Sequence, residues 1–195
     1  MKKRLILASG SPRRKELLAE LGFDFEVITS NAEEEHRNDI SLTELCERNA
    51  EIKTRAVANK YPDAVVLGGD TLVYIDDEPL GKPNNKEEAV AMLERLSGRT
   101  HQVCSGMCLI EGEHVKSFHA VTQVVFKDID RSVIDAYVQR VDVMDKAGSY
   151  AVQECGKMII ERVDGDFSNV VGLPQQMVGE QLAAFGLQPE GKLSE

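Results

Sequence analysis

Arg4-Leu5-Ile6-Leu7-Ala8-Ser9-Gly10-Ser11-Pro12-Arg13-Arg14 is the stretch on which the reading of the fold turns. Arg4 to Ala8 is a short, continuous apolar run of the kind a buried strand shows. It stops at Ser9-Gly10-Ser11-Pro12, after which Leu17, Leu18 and Leu21 recur at helical spacing. Ser11 can cap that helix, Pro12 suits its first position, and Gly22 stops it. The local unit is a strand, a tight turn and a helix N-terminus. Such an end gathers free backbone N–H groups and a partial positive charge. The hydroxyls of Ser9 and Ser11 and the guanidiniums of Arg13 and Arg14 would complete a phosphate cradle. The competing interpretation is a capped helix whose arginines face solvent.

Outward from this unit, Phe25 to Thr29 is a second strand candidate and Asn31 to Asp39 an acidic loop. Ser41-Leu42-Thr43-Glu44 has the capping-box pattern and predicts a helix to about Lys60. Ala64 to Leu67 is a third apolar run. It is expected to break at Gly68-Gly69-Asp70-Thr71 and to resume from Leu72 to Ile75, with a hairpin turn at Asp76-Asp77. Asn85 opens a helix closed by Gly98. Two alternating strands, His101 to Ile110 and Val115 to Phe126, flank the turn Glu111-Gly112-Glu113. Asp130 starts a short helix, Met158 to Val163 reads as a strand, and Pro174 opens a last helix ended by Gly186. These elements predict an α/β (mixed α+β) domain over residues 1–187 with two lobes, and a frayed tail over 188–195.

Composition narrows the function. The 195 residues are 42% hydrophobic and 29% charged, enough apolar content to bury a core. No apolar run approaches the ~18 residues that span a bilayer. The apolar stretch behind Lys2, Lys3 and Arg4 is too short for a signal peptide, so a cytoplasmic location is expected. With 33 acidic and 23 basic residues, the net charge of −10 disfavours nucleic acid as a partner. A small anionic substrate would need a local cluster of cations or a metal. Cys104 and Cys108 share a predicted strand, which sets them about 13 Å apart, too far to share a zinc ion. Cys46, Cys104, Cys108 and Cys155 are expected to be free thiols.

Three further segments combine a strand end with glycine and charge. Asp70, preceded by Gly68 and Gly69, sits where a ligand could approach the backbone closely. A carboxylate so placed holds a divalent metal or activates water; otherwise it is a turn residue. Gly81-Lys82-Pro83 fixes a lysine after the hairpin, and Asp145-Lys146-Ala147-Gly148-Ser149-Tyr150 is followed by Gln153. The chain has no G-x-x-x-x-G-K-[ST], G-x-G-x-x-G, H-E-x-x-H or G-x-S-x-G pattern.

Together with Asn169-Val170-Val171-Gly172-Leu173-Pro174, these segments resemble the Maf family of nucleoside triphosphate pyrophosphatases, in family order from Arg4 to about Phe185. The resemblance implies a fold similar to that of inosine-triphosphate pyrophosphatases: an elongated mixed sheet flanked by helices, with a cleft between two lobes. It also implies a cytoplasmic homodimer acting on a small-molecule nucleoside triphosphate, releasing the monophosphate and pyrophosphate. Charge shifts onto the leaving pyrophosphate in the transition state, so cations placed there supply much of the catalysis. Arg13, Arg14, Lys53, Lys82 and Lys146 are the expected clamps, with Ser9 beside them.

By the same resemblance Asp70 is the expected general base, and a metal-ligand role for the same carboxylate stays open. Glu33 matches an acidic position expected to hold the metal, although Glu34 and Glu35 leave the register open. Magnesium is the expected ion, and manganese would fit. Arg13, Thr71 and Gln153 resemble the branch acting on dTTP and UTP, whereas the 7-methyl-GTP branch tends to show Trp, Gln and Glu there. A glutamine amide both donates and accepts, and so matches the O4 acceptor and N3–H donor of uracil or thymine. A Trp face would attract a cationic methylated guanine that Arg13 would repel. The alternatives are a 7-methyl-GTP pyrophosphatase and a nucleotide-binding regulator of cell division.

Overall fold

The computed structural model describes residues 3–37 and 39–190. Its elements run β1 (Arg4–Leu7), α1 (Pro12–Glu20), β2 (Glu26–Val27), α2 (Leu42–Ala58), β3 (Ala64–Ile75), β4 (Glu78–Leu80), α3 (Lys86–Leu96), β5 (Thr100–Glu111) and β6 (His114–Phe126). They continue with α4 (Arg131–Val138), β7 (Ile160–Asp164), α5 (Phe167–Val171) and α6 (Gln175–Ala184). The strands form a mixed sheet in the order β2-β1-β3-β5-β6-β7, with β4 paired to β3. Among the described residues no helix is long and apolar enough to cross a membrane.

The opening stretch folds as its chemistry dictates. Leu5, Ile6 and Leu7 are buried on both faces of β1, which pairs in parallel with β2 on one side and β3 on the other. A strand with parallel neighbours on both sides buries both of its faces, which is why the run is apolar without alternation. The Ser11 hydroxyl accepts from the Arg14 N–H, and Pro12 takes the first helical position, so α1 starts directly after the turn. Leu17 and Leu18 anchor this helix, and burying each contributes roughly 1.5–3 kcal/mol. Ser41, Asn85 and Asp130 likewise cap α2, α3 and α4 through their side-chain oxygens.

Two expectations are corrected. The Gly68-Gly69 pair does not interrupt the strand, for β3 runs unbroken over Ala64–Ile75. The space left by the missing side chains is taken by the protein itself and not by a ligand. A Cβ on Gly68 would lie 2.2 Å from Thr54 Oγ1 on α2, and one on Gly69 the same distance from Met107 Cε. On β5, a Cβ on Gly106 would lie 2.5 Å from the backbone carbonyl of Cys46. Glycines on β3 and β5 thus let α2 settle unusually close to the sheet. The hairpin turn is as read, with Asp76 and Asp77 both at positive φ, the backbone such a two-residue turn requires. Secondly, the chain is not frayed over 188–190: the Glu190 N–H donates to the Gly22 carbonyl at 2.7 Å. Residues 191–195 of that tail lie outside the described residues.

The chain divides into two compact units. One takes the chain up to Asp70, Ser105–Ala120 and the chain from Gly172 onward; the other takes Thr71–Cys104 and Val121–Val171. β3, β5 and β6 each contribute residues to both. The first unit has a core of Ile6, Ala8, Ala50, Val57, Val66, Cys108 and Ile110. The second is built around Val73, Leu93, Leu96, Val124, Phe126, Ile134 and Tyr137. Cys46, Cys104 and Cys108 are buried free thiols and Cys155 is an exposed one.

Candidate active site

In the first unit the chain leaves β1 for β2 on one side and returns through α2 to β3 on the other. β1 is therefore the point where strand order reverses, and ligands in open α/β sheets bind beyond the carboxyl ends of strands at such a point. Ser9, Arg13 and Arg14 follow the end of β1, and Asp70 lies three residues beyond Leu67, the partner of Leu7.

The turn is fixed by its own polar groups. The Ser9 hydroxyl accepts from the Ser11 N–H and from Arg14 Nη1, each at 3.2 Å. Arg14 Nε also donates to the Gly172 carbonyl at 2.9 Å. Burial pushes the Arg14 guanidinium below its ordinary value, while the Asp70 and Glu34 carboxylates push it back up. That balance places Arg14 within electrostatic reach of both. Arg13 is half-buried, and among the described residues its side chain makes no hydrogen bond or ion pair.

Lys53 is the centre of the site. It stands on the inner side of α2, and its ammonium reaches Asp70 Oδ1 at 2.7 Å and Glu34 Oε1 at 2.6 Å. Asp70 is 6% exposed, and its second oxygen, Oδ2, is buried without a hydrogen-bond partner. A buried carboxylate oxygen left without a donor is costly unless it has a use. Cys46 steadies the same strand: its thiol donates to the Asp70 carbonyl at 3.2 Å and accepts from the Gly106 N–H at 3.1 Å. Contacts this short between α2 and two strands depend on the glycines beneath the helix.

The acidic loop places Glu34, not Glu33, on Lys53. Glu33 is exposed, and among the described residues its side chain makes no hydrogen bond or ion pair. Asn49, one turn before Lys53 on α2, fixes the loop through both backbone groups of Glu35. Glu34, Asn49 and Cys46 were not singled out in the sequence. The available signal was the spacing Cys46, Asn49, Lys53, which puts three polar or polarisable groups on one face of a helix.

Among the described residues no group of three or more His, Cys, Asp or Glu side chains could hold a metal on its own. A magnesium ion does not need one, because one or two carboxylates plus substrate phosphates complete its shell. The unpartnered Asp70 Oδ2, beside an acidic loop, fits that donor set.

The second unit gathers the remaining expected residues. The Gly148 N–H donates to the Gly81 carbonyl at 3.1 Å, which joins the Gly81-Lys82-Pro83 and Asp145–Tyr150 segments. Gly148 is at positive φ, and a Cβ there would lie 2.9 Å from Val73, so the joint requires glycine. Lys82 is exposed beside a recess of about 360 Å³ also lined by Leu80, Glu88, Met92 and Arg95. Lys146 is 5% exposed, and its ammonium meets the Asp142 carbonyl, Asp145 at 2.8 Å and Glu154 at 3.5 Å. Thr71 is half-buried and Gln153 exposed.

The architecture is that of solved Ham1 proteins. The Staphylococcus aureus Ham1 protein matches with a TM-score of 0.54 at 16% identity, over 92% of this chain and all of that one. A HAM1 protein from Coxiella burnetii gives 0.53 at 19% identity, over 94% of this chain and 98% of the other. Sequence comparison is more specific. A family model described as Maf-like protein matches residues 4–185, and the chain belongs to that family. A relative from Akkermansia muciniphila named dTTP/UTP pyrophosphatase is 46% identical over 93% of this chain and 96% of its own length. One of the same name from Bacillus velezensis is 44% identical over 96% of this chain and its whole length.

Proposed function

We propose that this chain is a nucleoside triphosphate pyrophosphatase acting on UTP and dTTP, as the names of its relatives state for them. The observation that carries the reading is the Lys53–Asp70 pair with its unpartnered Oδ2, on β3 three residues past the level at which β1 ends. Lys53 orients Asp70 through Oδ1 and leaves Oδ2 to accept a proton from water. The water oxygen bonds to the α-phosphorus, the bond to the α–β bridging oxygen breaks, and its electron pair leaves on pyrophosphate. Arg13, Arg14 and the N-terminus of α1 balance phosphate charge as it shifts. In the second unit, Lys82 and Lys146 serve the phosphates, and Thr71 and Gln153 the base.

Asp70 would also hold a divalent cation, with Glu34 or Glu33 of the acidic loop beside it. Magnesium suits these oxygen donors, and when bound it would neutralise phosphate charge.

Asp70→Asn tests this reading. With UTP and magnesium, release of UMP and pyrophosphate is expected to fall roughly 10²–10⁴-fold, the range of a lost general base, with UTP affinity little changed. Unchanged turnover would remove Asp70 from the chemistry.

A further inference from the structure

Asn49 is a buried polar residue in the middle of α2, 2% exposed, where helices of this kind place apolar side chains. Its amide oxygen accepts from the Glu35 N–H at 2.7 Å, and its amide nitrogen donates to the Glu35 carbonyl at 3.2 Å. One side chain thereby answers both backbone groups of a loop residue, as a neighbouring strand would. The next residue back is Glu34, whose carboxylate meets Lys53 one helical turn along from Asn49. The surroundings explain why the loop needs such a fastening. Glu34 and Asp70 share the Lys53 ammonium, and Glu35 has a buried carboxylate oxygen with no hydrogen-bond partner. Two carboxylates meet at one ammonium, and their mutual repulsion favours a loop released into solvent.

We infer that Asn49 is a positioning residue: it holds the acidic loop so that Glu34 stays on Lys53, and through Lys53 it fixes the orientation of Asp70. The inference rests on the proposed pyrophosphatase activity and deepens it. Asn49 touches no reacting atom. Its effect passes through the Glu35 backbone, the Glu34 carboxylate and the Lys53 ammonium in turn.

The test compares wild type, Asn49→Leu, Glu34→Gln and the double variant, with UTP and magnesium. Asn49→Leu keeps the number and branching of the side-chain heavy atoms and removes both hydrogen bonds. Its kcat is expected to drop about 10- to 100-fold, the scale of a small misplacement at a reacting centre, with KM for UTP little changed. The double variant should be no slower than Glu34→Gln, because both changes break one chain of contacts. Residue-resolved amide exchange should show a protected Glu35 N–H in wild type that is lost in Asn49→Leu. Should Asn49→Leu not fold, Asn49→Ser replaces it. A lowered melting temperature with unchanged kcat, additive losses in the double variant, or a rapidly exchanging Glu35 amide in wild type would each overturn the inference alone. A wild-type protein that turns over no nucleoside triphosphate would overturn it together with the functional reading.

Discussion

Lys53 carries one positive charge and serves two carboxylates, and it is only partly exposed to the solvent that would screen them. This arrangement explains how an acidic protein can receive a polyanion. Its carboxylates are fastened by an ammonium, and Arg14 lies within their field. Gln153, proposed above to read the base, belongs to a different segment, and its prediction is correspondingly different. Gln153→Glu removes the donor of the amide, so UTP hydrolysis should weaken and guanine-type substrates gain relative to it. Measured kcat/KM for UTP and 7-methyl-GTP decides this, and an unmoved ratio excludes Gln153 from base reading. At this scale the sequence was partly legible. Ser9, Arg14, Lys53 and Asp70 were each identifiable, three beside a glycine turn or strand end and Lys53 by resemblance. Asn49 and Cys46 were not, because Asn49 falls within the apolar period of α2 and Cys46 reads as one more free thiol until the loop and the strand they bond are in place. Among three adjacent glutamates, only the folded loop singles out Glu34 as the partner of Lys53.

The close seating of α2 on the sheet is the feature that assembles the site. Gly68 and Gly106 set the spacing, and the Cys46 thiol then spans from the helix to the Asp70 carbonyl and the Gly106 N–H. Gly106→Ala would drive a methyl group into helix backbone that cannot turn aside. Its expected cost is about 3 kcal/mol, at the upper end of overpacking changes. Urea denaturation measures it, and a loss under about 0.5 kcal/mol, the size of an ordinary surface change, would contradict this account. Gly69→Ala should be milder, because the obstructing Met107 Cε ends a flexible side chain. Elements with caps and periodic apolar faces, such as α1, α2 and α3, were readable almost to the residue. The continuity of β3 was not, because two consecutive glycines look like a break in one dimension. Their purpose lies in Thr54 and Met107, far away in sequence. The short helix α5 opens on Asp166, whose Oδ1 accepts from the Ser168 N–H, but its five residues are too few to show a periodic apolar face.

Across the whole molecule, acidity has a specific weak point in His101. It is 2% exposed, packs edge-on against Phe126 and Tyr150, and bonds the Tyr150 hydroxyl through Nε2 at 2.7 Å. Burial lowers its pKa from 6.5 to about 4. Between those values the unfolded chain binds a proton that the folded chain refuses. Stability is therefore retained above pH 6.5 and lost as the pH falls toward 4, by about 3 kcal/mol in all. His101→Phe should flatten the fall in melting temperature between pH 7 and 4.5 relative to wild type. Parallel curves for the two proteins would refute this role for the histidine.

The chain enters and leaves its two units repeatedly, and three of those passages fall within β3, β5 and β6. No single cut in the polypeptide, by a protease or in the gene, could release either body with all of its own strands. Whatever selection or an engineer does to one, the other must be carried with it as a single inheritance.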